Sequence, residues 1–154
     1  MKVSVLEQSV SVEGKPQQTT IQDSIDLAKK AEKLGYYRFW VSEHHNHPTI
    51  IGTAPEILMA AIACNTSSIR IGSAGIMLPH YSSLKVAEQF RVLEAIAPNR
   101  IDLGLGRAPG SDGRTALALN PNSRNDSEHF PSNVRDLMSW VSNEKLIEGH
   151  PFRH

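Results

Sequence analysis

Tyr37-Arg38-Phe39-Trp40-Val41-Ser42-Glu43-His44-His45-Asn46-His47-Pro48 joins a short alternating run to a cluster of acid–base and ligand groups. The alternation over residues 37–41 is that of a β-strand, entered through the turn residue Gly35. The Glu and His side chains therefore gather where a strand ends. In parallel α/β architectures that end collects ligands and catalytic groups, because strands fix where each loop starts while the loop itself is free to vary.

Outward from this stretch, strands alternate with longer helices. A first strand is predicted over residues 3–6, and a helix over 21–34 opened by Thr20, with Asp23 three residues on, and closed by Gly35. Ile21, Ile25, Ala28, Ala31 and Leu34 recur at helical spacing, so one face is meant for a sheet. Further helices are predicted over 54–65, with Pro55 suited to the first turn, and over 83–96, with Val86, Phe90, Leu93 and Ala97 on one stripe. Strands are predicted over 69–74 and 100–106, and a last helix over 133–143. The stretch from Arg107 to about Pro131 reads as a loop of unusual length, a signature of lids or insertions. Residues 1–154 are expected to form one domain, or part of one.

The chain has 154 residues, 16 basic and 16 acidic, so its charge nominates neither nucleic acid nor an anionic membrane as partner, and a small molecule is the expected ligand. No apolar run approaches the roughly 18 residues of a membrane span. Residues 1–6 turn polar too soon for a signal peptide, and the cytoplasm is the expected compartment. Cys64, the single cysteine, excludes an intrachain disulfide and is expected as a buried thiol within its apolar helix.

Four parallel strands with crossover helices suit either an open sheet or half of a closed eight-stranded barrel. Along the fourth strand Asp102, Gly104 and Gly106 share a face with almost no bulk, against which something flat could lie or another strand could pack closely. A dinucleotide fingerprint would need a helix directly after Gly104-x-Gly106, and Ala108-Pro109-Gly110-Ser111 opens a loop instead.

The order of Phe39-Trp40-Val41-Ser42-Glu43-His44-His45, then Ile71-Gly72-Ser73-Ala74-Gly75-Ile76-Met77-Leu78-Pro79, then Arg100-Ile101-Asp102-Leu103-Gly104-Leu105-Gly106-Arg107, resembles the bacterial luciferase-like flavin monooxygenases. The resemblance implies an α/β fold of the TIM-type (β/α)8 class, with about four strands, half a barrel, present here. It implies reduced FMN, or in some branches the deazaflavin F420, bound at the strand C-terminal ends. The implied activity oxygenates an aldehyde or similar small organic substrate with O2. A separate NAD(P)H-dependent flavin reductase is the implied partner.

By the same resemblance His44 is the acid–base candidate near the flavin, with Glu43 beside it in the motif; Glu43 and Gly106 are further cofactor-binding candidates. Ala74 and Gly75 match a non-prolyl cis peptide and bulge against the flavin ring. Arg107 matches a residue reaching the flavin phosphate, a role suited to a guanidinium fork. Gly106 departs from luciferase itself, which carries a reactive cysteine there, so the chain resembles the wider family more than the light emitters. Family members are about twice as long. The expectation is a truncated or split member, inactive unless completed by another copy or by a missing half.

Two other readings stand beside this one. His45-x-His47 is a spacing that presents two imidazoles to one metal, as in barrel hydrolases that activate water on zinc. The third reading is a non-catalytic half-barrel subunit whose second and third helices form a dimer face.

Overall fold

Phe39 and Val41 are buried while Arg38 and Trp40, alternating with them, stay half covered, and this alternation sets the two faces of the sheet. The computed structural model describes residues 1–122, 126, 128–142 and 148–150. Its elements run β1 (Ser4–Glu7), α1 (Gln17–Lys33), β2 (Arg38–Val41), α2 (Pro55–Asn65), β3 (Arg70–Ser73), β4 (Ile76–Met77), a 3-10 turn (Leu78–His80), α3 (Ser83–Ile96), β5 (Ile101–Asp102), β6 (Leu105–Gly106), α4 (Gly113–Leu119) and α5 (Phe130–Ser142).

Strands β1, β2, β3 and β5 lie side by side in chain order, all parallel, with Leu6, Trp40, Gly72 and Asp102 in register across them. Sequential parallel strands joined by helices make the β/α units of a half barrel. The helices cover one face: Ala28 and Ala31 of α1, Leu58, Met59 and Ile62 of α2, and Val86, Phe90 and Leu93 of α3 share a core with Phe39, Val41 and Ile71. Each large apolar side chain buried there stabilises the fold by about 1.5–3 kcal/mol. Helix α5 packs on α3 and contributes Leu137, which is 1% exposed.

The predicted third and fourth strands are each split. β3 gives way to β4 at Ala74-Gly75, which are joined by a cis peptide bond, and β5 gives way to β6 at Leu103-Gly104. β4 and β6 pair with each other as a second parallel ladder. The break is built around Ser73, whose hydroxyl donates to the Gly104 carbonyl at 2.8 Å and accepts from the Gly104 N–H at 3.1 Å. Backbone meets backbone here: a Cβ on Gly75 would lie 2.8 Å from the Leu105 carbonyl carbon.

Four expectations need correction. Helix α1 begins at Gln17 after Pro16, whose fixed φ of −62° favours a helix start, and Thr20 is a buried inner-face residue rather than the cap. Residues 17–19 are polar and gave no periodic signal. Cys64 is exposed, not buried, because it falls one step round α2 from the buried Ala63. The stretch from Arg107 contains α4, capped by Asp112, which accepts from Arg114 N at 2.9 Å and Thr115 N at 3.1 Å. Helix α5 begins at Phe130 rather than residue 133, and its predicted end at residue 143 lies outside the described residues.

Candidate functional site

Three loops meet at the C-terminal rim of the sheet: residues 42–54 after β2, the cis bulge and 3-10 turn after β3, and residues 107–112 after β6. Glu43 is their common buried point, with no exposed surface. Its Oε1 lies 2.6 Å from His45 Nε2 and accepts from the Tyr81 hydroxyl at 2.6 Å, while Oε2 accepts from the Met77 N–H at 2.8 Å. Burial, then the bond to Glu43 and the carboxylate charge, push the Tyr81 phenol far above its usual range, so Tyr81 stays protonated and remains the donor. A carboxylate used this way fixes loop geometry and faces no solvent.

His44 lies one residue on and is half-buried. Its N–H donates to the Gly52 carbonyl at 3.2 Å, and its Nδ1 is 3.3 Å from Ser42 Oγ. Among the described residues its Nε2 has no hydrogen-bond partner. One ring nitrogen is therefore steadied and the other is available, the arrangement a proton-transfer group needs.

His45 and His80 hold the third loop. The His45 N–H donates to the Gly110 carbonyl at 3.1 Å, and His80 Nε2 donates to the Pro109 carbonyl at 2.7 Å. Their rings meet edge to face, 5.8 Å between centroids. His80 is 8% exposed, and its Nδ1 is buried without a partner among the described residues. Neither His80 nor Tyr81 was among the candidate site residues read from the sequence. The signal for both was Pro79-His80-Tyr81 sitting directly after a strand end.

The remaining expected residues lie along the open edge of the rim. Ala74 continues the face that carries Arg70 and Gly72 and is partly exposed, while Gly75 is buried behind it. Gly106 lies against Met77: a Cβ on it would be 2.8 Å from the Met77 sulfur. Arg107 follows at the end of β6 and is exposed.

Below the rim, on the face away from the helices, Asp102 accepts from Arg38 Nε at 2.8 Å and from Arg70 Nη2 at 2.6 Å. Burial raises the Asp102 carboxyl, but the hydrogen bonds from Arg70 and Arg38 outweigh it and hold the pKa low. Trp40 lies over Gly72, where a Cβ would stand 2.5 Å from its ring. This floor is flat, aromatic and ion-paired.

A phosphorylated flavin needs a flat surface for its ring, a proton-handling group beside it and a cation at its phosphate. Ala74 with Gly75, His44 and Arg107 follow β3, β2 and β6 on that rim and are of the residue types such a group calls for. The metal reading fares worse. His47 is exposed, and its Nδ1 accepts from the Thr49 and Ile50 N–H groups, while His45 turns to the buried Glu43. Among the described residues no group of three His, Cys, Asp or Glu side chains could hold a metal ion.

A family profile described as luciferase-like monooxygenase matches residues 1–127. The N-acetyl-S-alkylcysteine monooxygenase of Bacillus subtilis is 44% identical over 144 residues, which is 94% of this chain and 43% of that protein. The crystal structure of apo-MsnO8 superposes with a TM-score of 0.85 at 45% identity, covering 99% of this chain and 44% of that one. The oxygenating constituent of 3,6-diketocamphane monooxygenase from Pseudomonas putida, solved in complex with FMN, has the same fold: TM-score 0.83, 21% identity, 99% of this chain and 42% of that one. The chain thus spans less than half the length of the curated relatives it matches. With the profile covering most of its residues and a relative this similar over nearly its whole length, the chain belongs to the luciferase-like monooxygenase family.

Proposed function

We propose that residues 1–154 supply the flavin-facing first half of a flavin-dependent monooxygenase that acts on a small organic substrate, an aldehyde or similar. The observation that carries this reading is His44 at the rim, held at Nδ1 by Ser42 and open at Nε2 among the described residues. Reduced FMN, once bound, would supply the electrons that put one oxygen atom of O2 into the substrate and release the other as water. His44 Nε2 takes or gives the proton at the ring edge. Ala74 and Gly75 form the platform, Gly106 keeps the strand end low, and Arg107 pairs with the phosphate. Glu43 works through its neighbours, locking the loops that carry these groups. Reduced flavin arrives from a separate NAD(P)H-dependent reductase.

Half a barrel leaves the inner face and two strand edges open, and a second copy or a separate half is the partner proposed to cover them. The outer side offers another contact: Ile57 of α2 and Val92 of α3 are 69% and 60% exposed and line one groove with Ala60 and Ile96. This supports a dimer through α2 and α3.

The experiment is an anaerobic titration of the chain with reduced FMN and with reduced F420, alongside light scattering. Saturable binding of FMN by a defined oligomer, lost in His44→Ala or Arg107→Ala but kept in Lys85→Ala, is the expected result. Binding that ignores Arg107 sinks the phosphate role, and preference for F420 moves the chain to deazaflavin chemistry.

A further inference from the structure

We infer that His80 is a positioning residue for Arg107, gripping the Pro109 carbonyl so that the guanidinium meets a phosphorylated ligand; the phosphate part of this rests on the flavin reading above. Arg107 opens the 107–112 loop, and two successive carbonyls of that loop are held from different directions. His80 Nε2 takes Pro109 O at 2.7 Å from the 3-10 turn, and the His45 N–H takes Gly110 O at 3.1 Å from the β2 loop. Ser111 Oγ also donates to Pro109 O, at 3.2 Å, but it belongs to the loop itself and cannot tie it to the scaffold.

A carbonyl only accepts, so His80 Nε2 must carry the hydrogen. In the neutral ring Nδ1 is then a bare acceptor, buried with no donor among the described residues. Burying an unsatisfied acceptor costs stability, and a residue chosen for packing alone would not carry one. The cost makes sense if the other nitrogen is what the fold needs. Gly110, at φ +63°, completes the clamp: a Cβ there would come within 3.2 Å of both the Glu43 carbonyl oxygen and Met77 Cγ, so the loop is seated tightly against the residues that hold it.

The test compares binding of FMN and riboflavin, which differ by the phosphate, to the full chain and to His80→Ala, His80→Gln and Arg107→Ala, with hydrogen exchange read at the amides of residues 107–112. Losing one positioning hydrogen bond should weaken FMN by about three- to tenfold in His80→Ala while riboflavin changes by less than about twofold. His80→Gln, whose amide can donate to the same carbonyl, should recover most of the difference. The loop amides should exchange faster in His80→Ala than in the wild type.

Equal weakening of both ligands, or an unchanged loop exchange rate, would overturn the inference. If Arg107→Ala removes the preference for FMN and His80→Ala does not, the phosphate role stands and the positioning role falls. If Arg107→Ala leaves the preference intact, the phosphate role fails first and takes this inference with it. Should the wild type bind neither ligand, the flavin reading is the one that fails, and unchanged loop exchange in His80→Ala would still refute the clamp.

Discussion

Tyr81 donates its phenolic hydrogen to Glu43 across 2.6 Å, joining the end of β2 to the entrance of α3 over 38 residues of sequence. The carboxylate has no exposed surface, so it cannot exchange a lost partner for water. With His45 Nε2 and the Met77 N–H on the same group, two strand ends and the 3-10 turn share one buried polar node. Such nodes are costly when only partly satisfied, and their geometry is correspondingly well specified.

Tyr81→Phe should therefore destabilise more than its single lost hydroxyl suggests. The phenyl ring keeps the packing while one Glu43 oxygen loses a donor, a cost of about 1–3 kcal/mol. Chemical denaturation should show a lower midpoint with an unchanged slope. Glu43→Gln, which keeps the shape but turns an NH2 toward either the Met77 N–H or the Tyr81 and His45 side, should be at least as damaging. An unchanged midpoint in Tyr81→Phe would mean that the node carries little of the stability.

How much of this was legible in sequence depended on the range of the interaction. Helix α3 was read over residues 83–96, its observed span, because Val86, Phe90, Leu93 and Ala97 form a local stripe; the structure adds a Ser82 cap. The cluster at Glu43, His44 and His45 was also legible, as a change from alternation to ionisable groups at a strand end. That Glu43 turns inward was not, because its partners Met77 and Tyr81 lie 34 and 38 residues away and only the fold brings them together. Helix α4 escaped for a different reason. Seven residues are too few to show a period, and the Gly, Pro, Ser and Asn around them outweighed the Asp112 cap.

Gly104→Ala should be among the most damaging single-methyl additions in the chain. The new Cβ would be driven into the Ser73 carbonyl oxygen, a backbone atom that cannot move aside without disrupting the paired breaks after β3 and β5. The cost should exceed about 2 kcal/mol. Gly113→Ala is the control: nothing lies within 4 Å of its Cβ, and as the first residue of α4 it should gain a few tenths of a kcal/mol from helix propensity, within the roughly 1 kcal/mol separating Gly from Ala. Thermal melts of the two variants should move in opposite directions. Similar Tm values would mean that the strand break is softer than its packing implies.

Glu32 makes stability depend on pH in a predictable direction. From the last turn of α1 its Oε1 accepts from Ser67 N at 2.9 Å, Ser68 N at 2.6 Å and Ile69 N at 3.0 Å, closing the turn between α2 and β3. Burial alone would raise its pKa, but the Ile69, Ser68 and Ser67 amides outweigh burial and bring it to about 2 from an ordinary 4.5. The folded value lies below the unfolded one, so the contribution is complete above 4.5 and is lost as pH falls through about 2. Allowing for solvent screening at a surface turn, it amounts to about 1–2 kcal/mol. Glu32→Gln keeps one carbonyl acceptor but no charge, so it should melt below the wild type at pH 7 and converge with it toward pH 2. A gap that stays constant across that range would mean that the carboxylate acts by shape alone.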